Sequence, residues 1–321
     1  MTHVIYRISD LTDYINWHYL FYAWGLSARM AAVVGVHECD ACRRSWIQSF
    51  PSQDRPQATE AVKLFRDAQR MLARLAPYTS IHAAVEIYEA NADGDDIVLY
   101  LPDSGQDQEE QIFRLPMLRQ QQPDKDGFCW CLSDFIRPLE QGKRDRIGVF
   151  AATTRNEVPQ VSQVTTLSHY FTDVKRDDPY VSMLQQTLSD RLAEAAAERL
   201  HQQVRTSLWG YAPDEHLTMQ QLHAEEFQGI RPAVGYPSMP DTSMNCLIAQ
   251  LLPFDEMGIT LTEHGMMIPH ASVSGLMIAH PQSHYFALGK ITQEQLADYA
   301  HRRHMLPEEL KPYLAANLNH L

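Results

Sequence analysis

Leu184, Leu188, Leu192, Ala196, Leu200 and Val204 recur at every fourth position between residues 180 and 205. That step drifts slowly against a 3.6-residue turn, so it predicts one long helix with an apolar stripe along its length. A stripe that long needs a broad apolar surface to cover it, which constrains the fold more than any other segment does. Glu194, Glu198 and His201 fall on the opposite side, where the simplest expectation is a face turned to water. Ala195, Ala196 and Ala197 are small enough to let another element or a ligand approach closely.

The remaining segments mix helix and strand without regular alternation. A polar loop is expected at 51–57. A helix follows, with Ala61, Phe65, Ala68, Leu72 and Leu75 on one face and Pro77 marking its end. Residues 81–88 and 97–101 read as strands joined through the turn-rich stretch 91–96. Further short strands are expected around Phe113, at 128–132 and at 147–151, with loops at 102–110 and 156–164. Near the C-terminus, strands are expected at 275–278 and 283–288. Thr292 and Gln295 read as a capping box opening a helix over 293–304, and Pro307 suits the first turn of a last short helix. The pattern implies an α+β fold rather than a doubly wound sheet, with residues 1–321 as a single domain.

Charge narrows the partners. The net charge is −13, and an acidic chain repels nucleic acid unless it carries a local basic patch. The runs Lys143-Arg144-Asp145-Arg146 and His301-Arg302-Arg303-His304 are short and mixed, so they read as solvated surface. No apolar stretch of about 18 residues is present, so no membrane span is expected. Nor does the N-terminus pair a basic start with an apolar run, which leads to the expectation of a cytoplasmic protein. Five cysteines, Cys39, Cys42, Cys129, Cys131 and Cys246, do not suggest a disulfide framework. Cys39-Asp-Ala-Cys42, with His37 two residues earlier, is half a zinc site or a redox pair. Cys129-Trp-Cys131 has the wrong spacing to complete it.

The segment Glu225-Glu226-Phe227-Gln228-Gly229-Ile230-Arg231-Pro232-Ala233-Val234-Gly235-Tyr236-Pro237 resembles the signature of the activation domain of cobalamin-dependent methionine synthase. Companion segments follow the family order over nearly the whole chain. They include Tyr14-Ile15-Asn16-Trp17, Asp190-Arg191-Leu192-Ala193-Glu194-Ala195, Trp209-Gly210-Tyr211-Ala212-Pro213 and Ala271-Ser272-Val273-Ser274-Gly275. The resemblance implies a mainly antiparallel twisted sheet flanked by helices. It also implies a repair function. In this family S-adenosylmethionine, with an electron from flavodoxin or a similar reductase, restores methylcobalamin from inactive cob(II)alamin. No D-x-H-x-x-G cobalamin motif is found, so the chain is expected to act on cobalamin carried by a separate methionine synthase subunit. It would be a component of that methyltransferase activity rather than a complete enzyme.

The resemblance carries site residues with it. Arg231 offers a planar, permanently charged fork suited to a carboxylate. Pro232 and Gly235 shape a turn, Gly235 permitting close approach, and the backbone of Ala233 would face adenine or ribose. Tyr236 supplies a ring and a hydroxyl. Glu194 and Glu225 match family carboxylates near the cationic part of the ligand, and Tyr285 matches a tyrosine between nucleotide and cobalamin. Asn16 stands where the family has an aspartate paired with the ligand ammonium, and the lost charge should weaken binding by roughly 1–2 kcal/mol, about tenfold. Thr242 replaces a family histidine and His270 a glycine, both assigned to the face that meets cobalamin. Three other readings stay open here: a reactivator of another corrinoid methyltransferase, a module that kept the fold and lost the ligand, and a metal or redox protein using His37, Cys39 and Cys42.

Overall fold

The computed structural model describes residues 1–102, 111–156 and 178–318. The loops expected at 102–110 and 156–164 lie, apart from Pro102 and Asn156, outside the described residues. In chain order the elements are β1 (Thr2–Arg7), α1 (Ile8–Leu11), α2 (Trp17–Ala23), α3 (Asp40–Gln48), α4 (Arg55–Leu75), β2 (Thr79–Asp93), β3 (Asp96–Tyr100), β4 (Ile112–Pro116) and β5 (Asp145–Asn156). Then come α5 (Pro179–Gln203), α6 (Met219–His223), α7 (Met244–Ile248), α8 (Phe254–Met257), β6 (Thr260–Leu261), β7 (Met267–Ile268), β8 (Ser272–Met277), α9 (Gln293–Arg302) and α10 (Pro307–Leu310).

The main sheet is antiparallel, in the order β4-β3-β2-β5-β8, with β1 also paired to β2. Fifteen residues make β2 long enough to carry β1 along 80–85 and β3 along 89–93 on one edge. Its other edge carries β5 from Thr79 to Ala90. Gly94 and Asp95 make the two-residue turn between the paired Asp93 and Asp96, so the strand runs through most of the stretch read as turn.

Both sheet faces are buried, which explains why β2 and β5 read as apolar runs rather than alternating ones. Ile81, Ala83, Val85, Phe150 and Ala152 join a core with α2, α4 and α5. Their neighbours Ala84, Tyr88, Ala90, Val149 and Ala151 enter a second core with α7 and α8. A third, smaller core holds α9 and α10 around Leu118, Leu288 and Ile291.

Several expectations change. Residues 128–132 do not form a strand; they lead into a 3-10 turn at Leu132–Phe135. Trp130 explains the misreading: its ring stacks on Phe135 at 5.5 Å, meets His284 edge-on at 4.8 Å, and donates Nε1–H to Asp124 at 2.6 Å. Aromatic residues there fill a cluster instead of a ladder. The same cluster takes His284 and Phe286 out of the strand expected at 283–288. α4 starts at Arg55 with Pro56 in its first turn, which shortens the preceding loop. Thr292 caps α9, but Gln295 does not reciprocate; its amide donates to the Arg119 carbonyl at 2.7 Å. The first basic run is exposed as expected, its Arg144 in a surface ion pair, whereas Arg302 and Arg303 of the second are drawn inward. Arg144 pairs with Glu89 at 2.7 Å, Arg302 with Asp96 at 2.6 Å, and the deeply buried Arg303 with Asp241 at 2.9 Å.

Candidate functional site

The site begins at the free edge of β8. Residues 230–234 run along it: Ile230 and Ile278 exchange both backbone hydrogen bonds at 2.9 Å, Leu276 donates to Pro232 at 3.0 Å, and Val234 donates to Ser274 at 2.9 Å. This approach requires Gly275, where a Cβ would meet the Pro232 carbonyl at 2.1 Å. The chain then turns at Gly235, whose φ of +86° suits glycine, and Gly235 N–H closes onto Met239 at 2.8 Å. Gly235 therefore supplies the turn, while the close approach expected of it belongs to Gly275. The arginine-to-tyrosine segment and the small-residue run are two halves of one structure.

Against this segment α5 and the N-terminal helices enclose a cavity of about 690 Å³. All seven residues singled out in the sequence line it: Asn16, Glu194, Glu225, Arg231, Ala233, Tyr236 and Tyr285. Arg231 is the centre. Its Nη2 donates to Glu198 at 3.0 Å and its Nη1 lies 3.8 Å from Glu194. Its Nε has no hydrogen-bond partner among the described residues. Burial works against the guanidinium charge, but Glu198, Tyr285 and Glu194 outweigh it and raise its pKa. Tyr285 tethers the same residue from the other side, its hydroxyl accepting Arg231 N–H at 2.9 Å. Tyr236 donates its hydroxyl to Glu194, and burial followed by that carboxylate raises the phenol pKa far above its usual value.

Glu194 and Glu198 thus face the cavity rather than bulk water. α5 is buried on several sides, and one turn of spacing leaves both carboxylates on the one opening. His201 is not on a polar face at all. It is fully buried against Phe227 and hydrogen-bonded to Tyr211 at 3.3 Å. Burial, then the charges of Arg205 and Arg231, hold its pKa well below the usual value, so it is neutral. Behind it, Arg205 is closed by Glu215 at 2.8 Å and by the Phe227 ring at 4.0 Å.

Glu225 occupies an unusual backbone position. α6 ends with Glu226 N–H on the Gln221 carbonyl and Glu225 N–H on Leu222, both at 3.0 Å. This is a Schellman ending, and it puts Glu225 at φ 57°, where glycine is normally preferred. A glutamate held there costs about 1–2 kcal/mol, and what it contributes is a carboxylate at the cavity rim. Burial first, then the Glu198 charge, raise its pKa, with Arg231 opposing. Asn16 caps α2, its Oδ1 accepting His18 N–H at 3.2 Å while the residue lines the cavity.

A buried arginine, an unpartnered donor and three carboxylates thus share one cavity. Residues 7–304 match the family model for the activation domain of vitamin B12 dependent methionine synthase. The chain belongs to that family. It is also similar to the crystal structure of the MetH reactivation domain bound to AdoHcy, at 35% identity and a TM-score of 0.81, covering 100% of this chain and 90% of that one. The α+β architecture is the one this family shares.

Within this activation domain, sequence reasoning missed Glu198 as a cavity residue, together with Tyr14, Tyr19, Arg191 and His223. The one-turn spacing of Arg191, Glu194 and Glu198 was the available signal. Thr242 and His270 do not line the cavity. Thr242 donates to the His264 carbonyl at 3.3 Å, and His270 lies 3.3 Å from Asp190. His37, Cys39 and Cys42 lie together elsewhere, all exposed. Hydrogen bonds from the Cys42 side chain and backbone, then from His37, lower the Cys39 pKa to about 7.

Proposed function

We propose that this chain binds S-adenosylmethionine in the α5 cavity and supports reductive methylation of cob(II)alamin carried by a separate methionine synthase subunit. The electron would come from flavodoxin or a similar donor. The observation that carries the reading is Arg231, whose Nε is unpartnered in a cavity lined by Glu194, Glu198 and Glu225. The cavity volume falls in the ordinary range for a small-molecule site. The neighbouring structure, a reactivation domain with AdoHcy bound, adds weight to it.

Bound S-adenosylmethionine supplies the methyl group. The residues of this chain bind and orient it. Arg231 takes the ligand carboxylate through donors that Glu198 does not use. Glu194, Glu198 and Glu225 offset the ammonium and sulfonium charges. The turn at Gly235 presents the Ala233 backbone to the adenosine, and Tyr236 and Tyr285 form the walls. Calorimetry with S-adenosylmethionine tests the reading: saturable binding is expected, and no detectable heat at millimolar ligand sinks it.

A further inference from the structure

We propose that His37, Cys39 and Cys42 form a zinc(II) site, independent of the α5 cavity, with its fourth position open to solvent. The ligand atoms of the three side chains all lie within 4.8 Å of one another. It is the one such cluster of three or more potential ligands among the described residues. Around a tetrahedral zinc ion two thiolates stand roughly 3.8 Å apart, given Zn–S bonds of about 2.3 Å. Side-chain rotations of an ångström or less would therefore bring the three donors onto one ion.

The backbone supports the arrangement. Cys39 is the N-cap of α3, a nine-residue helix, and its Sγ accepts Cys42 N–H at 3.3 Å. One turn thus holds both sulfurs on the same side, with a backbone donor supporting the charge of one of them. Cys39 N–H in turn donates to His37 Nδ1 at 3.2 Å, which places the imidazole beside the pair. Metal binding would redirect that Nδ1 lone pair from the amide to the ion. The two acids of the segment are engaged elsewhere: Arg66 holds Asp40 at 3.2 Å and Gln69 holds Glu38 at 3.3 Å. Both partners come from α4, so the segment is pinned to a long helix while the three donors face outward. Two thiolates and an imidazole are a borderline-soft set that suits zinc and disfavours calcium or magnesium. Three protein ligands leave a position for water or for a donor from a docked protein.

The test uses the full chain, purified under a phosphine reductant and dialysed against zinc, with metal measured by plasma mass spectrometry. One zinc per chain is expected, falling to background in Cys39→Ser and weakened at least about tenfold in His37→Ala. Cobalt(II) substitution should give thiolate-to-metal charge-transfer absorption that Cys42→Ser removes. Thermal unfolding of the metal-free proteins and S-adenosylmethionine titration of the same variants report folding and the other site separately, and both should stay at the values of metal-free wild type, since bound zinc would itself raise Tm. Substoichiometric zinc in folded wild-type protein, full zinc retained by Cys39→Ser, or a Cys39–Cys42 disulfide that excludes zinc even under reductant would overturn the proposal.

Discussion

Replacing Arg231 separates the fold from the site. Its side chain is 11% exposed and that of Glu198 13%, with 3.0 Å between charged atoms. At an effective dielectric near 20, the direct attraction is about 5 kcal/mol before desolvation is subtracted. Removing one partner of such a pair costs about 3–5 kcal/mol, because the other charge stays behind without compensation. In Arg231→Ala, Glu198 is left in that state while Glu194 keeps its Tyr236 hydrogen bond, and Tm should fall by roughly 6–10 °C at about 2 °C per kcal/mol. Arg231→Lys keeps a charge within reach of Glu198 but loses the planar fork, so its stability loss should be near 1 kcal/mol. Its ligand affinity should nevertheless fall about 10- to 150-fold, the loss of one charge-assisted hydrogen bond of about 1.5–3 kcal/mol. Calorimetry and thermal unfolding on both variants give the two numbers independently. Binding within about threefold of wild type in a folded Arg231→Lys would refute the assignment of Arg231 to the ligand carboxylate.

Asn16→Asp should tighten S-adenosylmethionine binding about tenfold while leaving the α2 cap intact, since both residues cap equally well; unchanged affinity by calorimetry removes Asn16 from the contact. Glu225→Gly should raise Tm slightly, relieving the φ 57° position, and at the same time weaken binding; a drop in both means the residue is structural. For Glu225→Gln the pH dependence has a definite sign. The folded pKa of Glu225 lies above its ordinary 4.5, so the stability linked to its proton is present below 4.5 and is lost as pH rises through the folded value. The Tm advantage of the glutamine variant should therefore grow with pH, and a flat difference contradicts the shift. Gly275→Ala should destabilise strongly and abolish binding together, because its Cβ would displace the Pro232 backbone; a folded, binding-competent variant would show that the 230–234 segment is not held as described.

The long helix was legible because its four-residue step survives burial on several sides. The same burial hid the direction of Glu194 and Glu198, since periodicity separates apolar from polar residues but does not distinguish water from a cavity. The seven site residues came from a resemblance, and the structure brings them together for a reason periodicity could not supply: 230–234 hydrogen-bonds to β8 and Ile278 across 40 to 48 residues of sequence. Gly275 was readable only as a small residue in a small-residue run. Strand expectations failed where composition and pairing part company, as at Trp130 and Phe286, whose rings both pack on Phe135 and His284 away from the sheet. Arg303 failed in the opposite sense. Its charge looked like surface, and only the buried Asp241 and Tyr299 beside it make it part of the core.

The charges around the cavity bear on which ligand it would hold. Arg191 and Arg231 face Glu194, Glu198 and Glu225 among the lining residues, a formal excess of one negative charge. Burial is the first cause of the raised Glu225 pKa, and the neighbouring Glu198 carboxylate adds to it. S-adenosylmethionine carries one carboxylate, one ammonium and one sulfonium, a net charge of +1, whereas its demethylated product has lost the sulfonium charge. A cavity with surplus acid therefore favours the methyl donor over the product, by an amount on the order of 1–3 kcal/mol for a partly screened unit charge about 6 Å from a carboxylate. That is the discrimination a donor site needs if product is to leave after transfer. An aspartate at position 16 would add a second surplus charge and deepen the preference. Asn16 keeps the helix cap and gives up that charge, so this chain would hold the donor less tightly and separate donor from product less sharply than a relative with the acid.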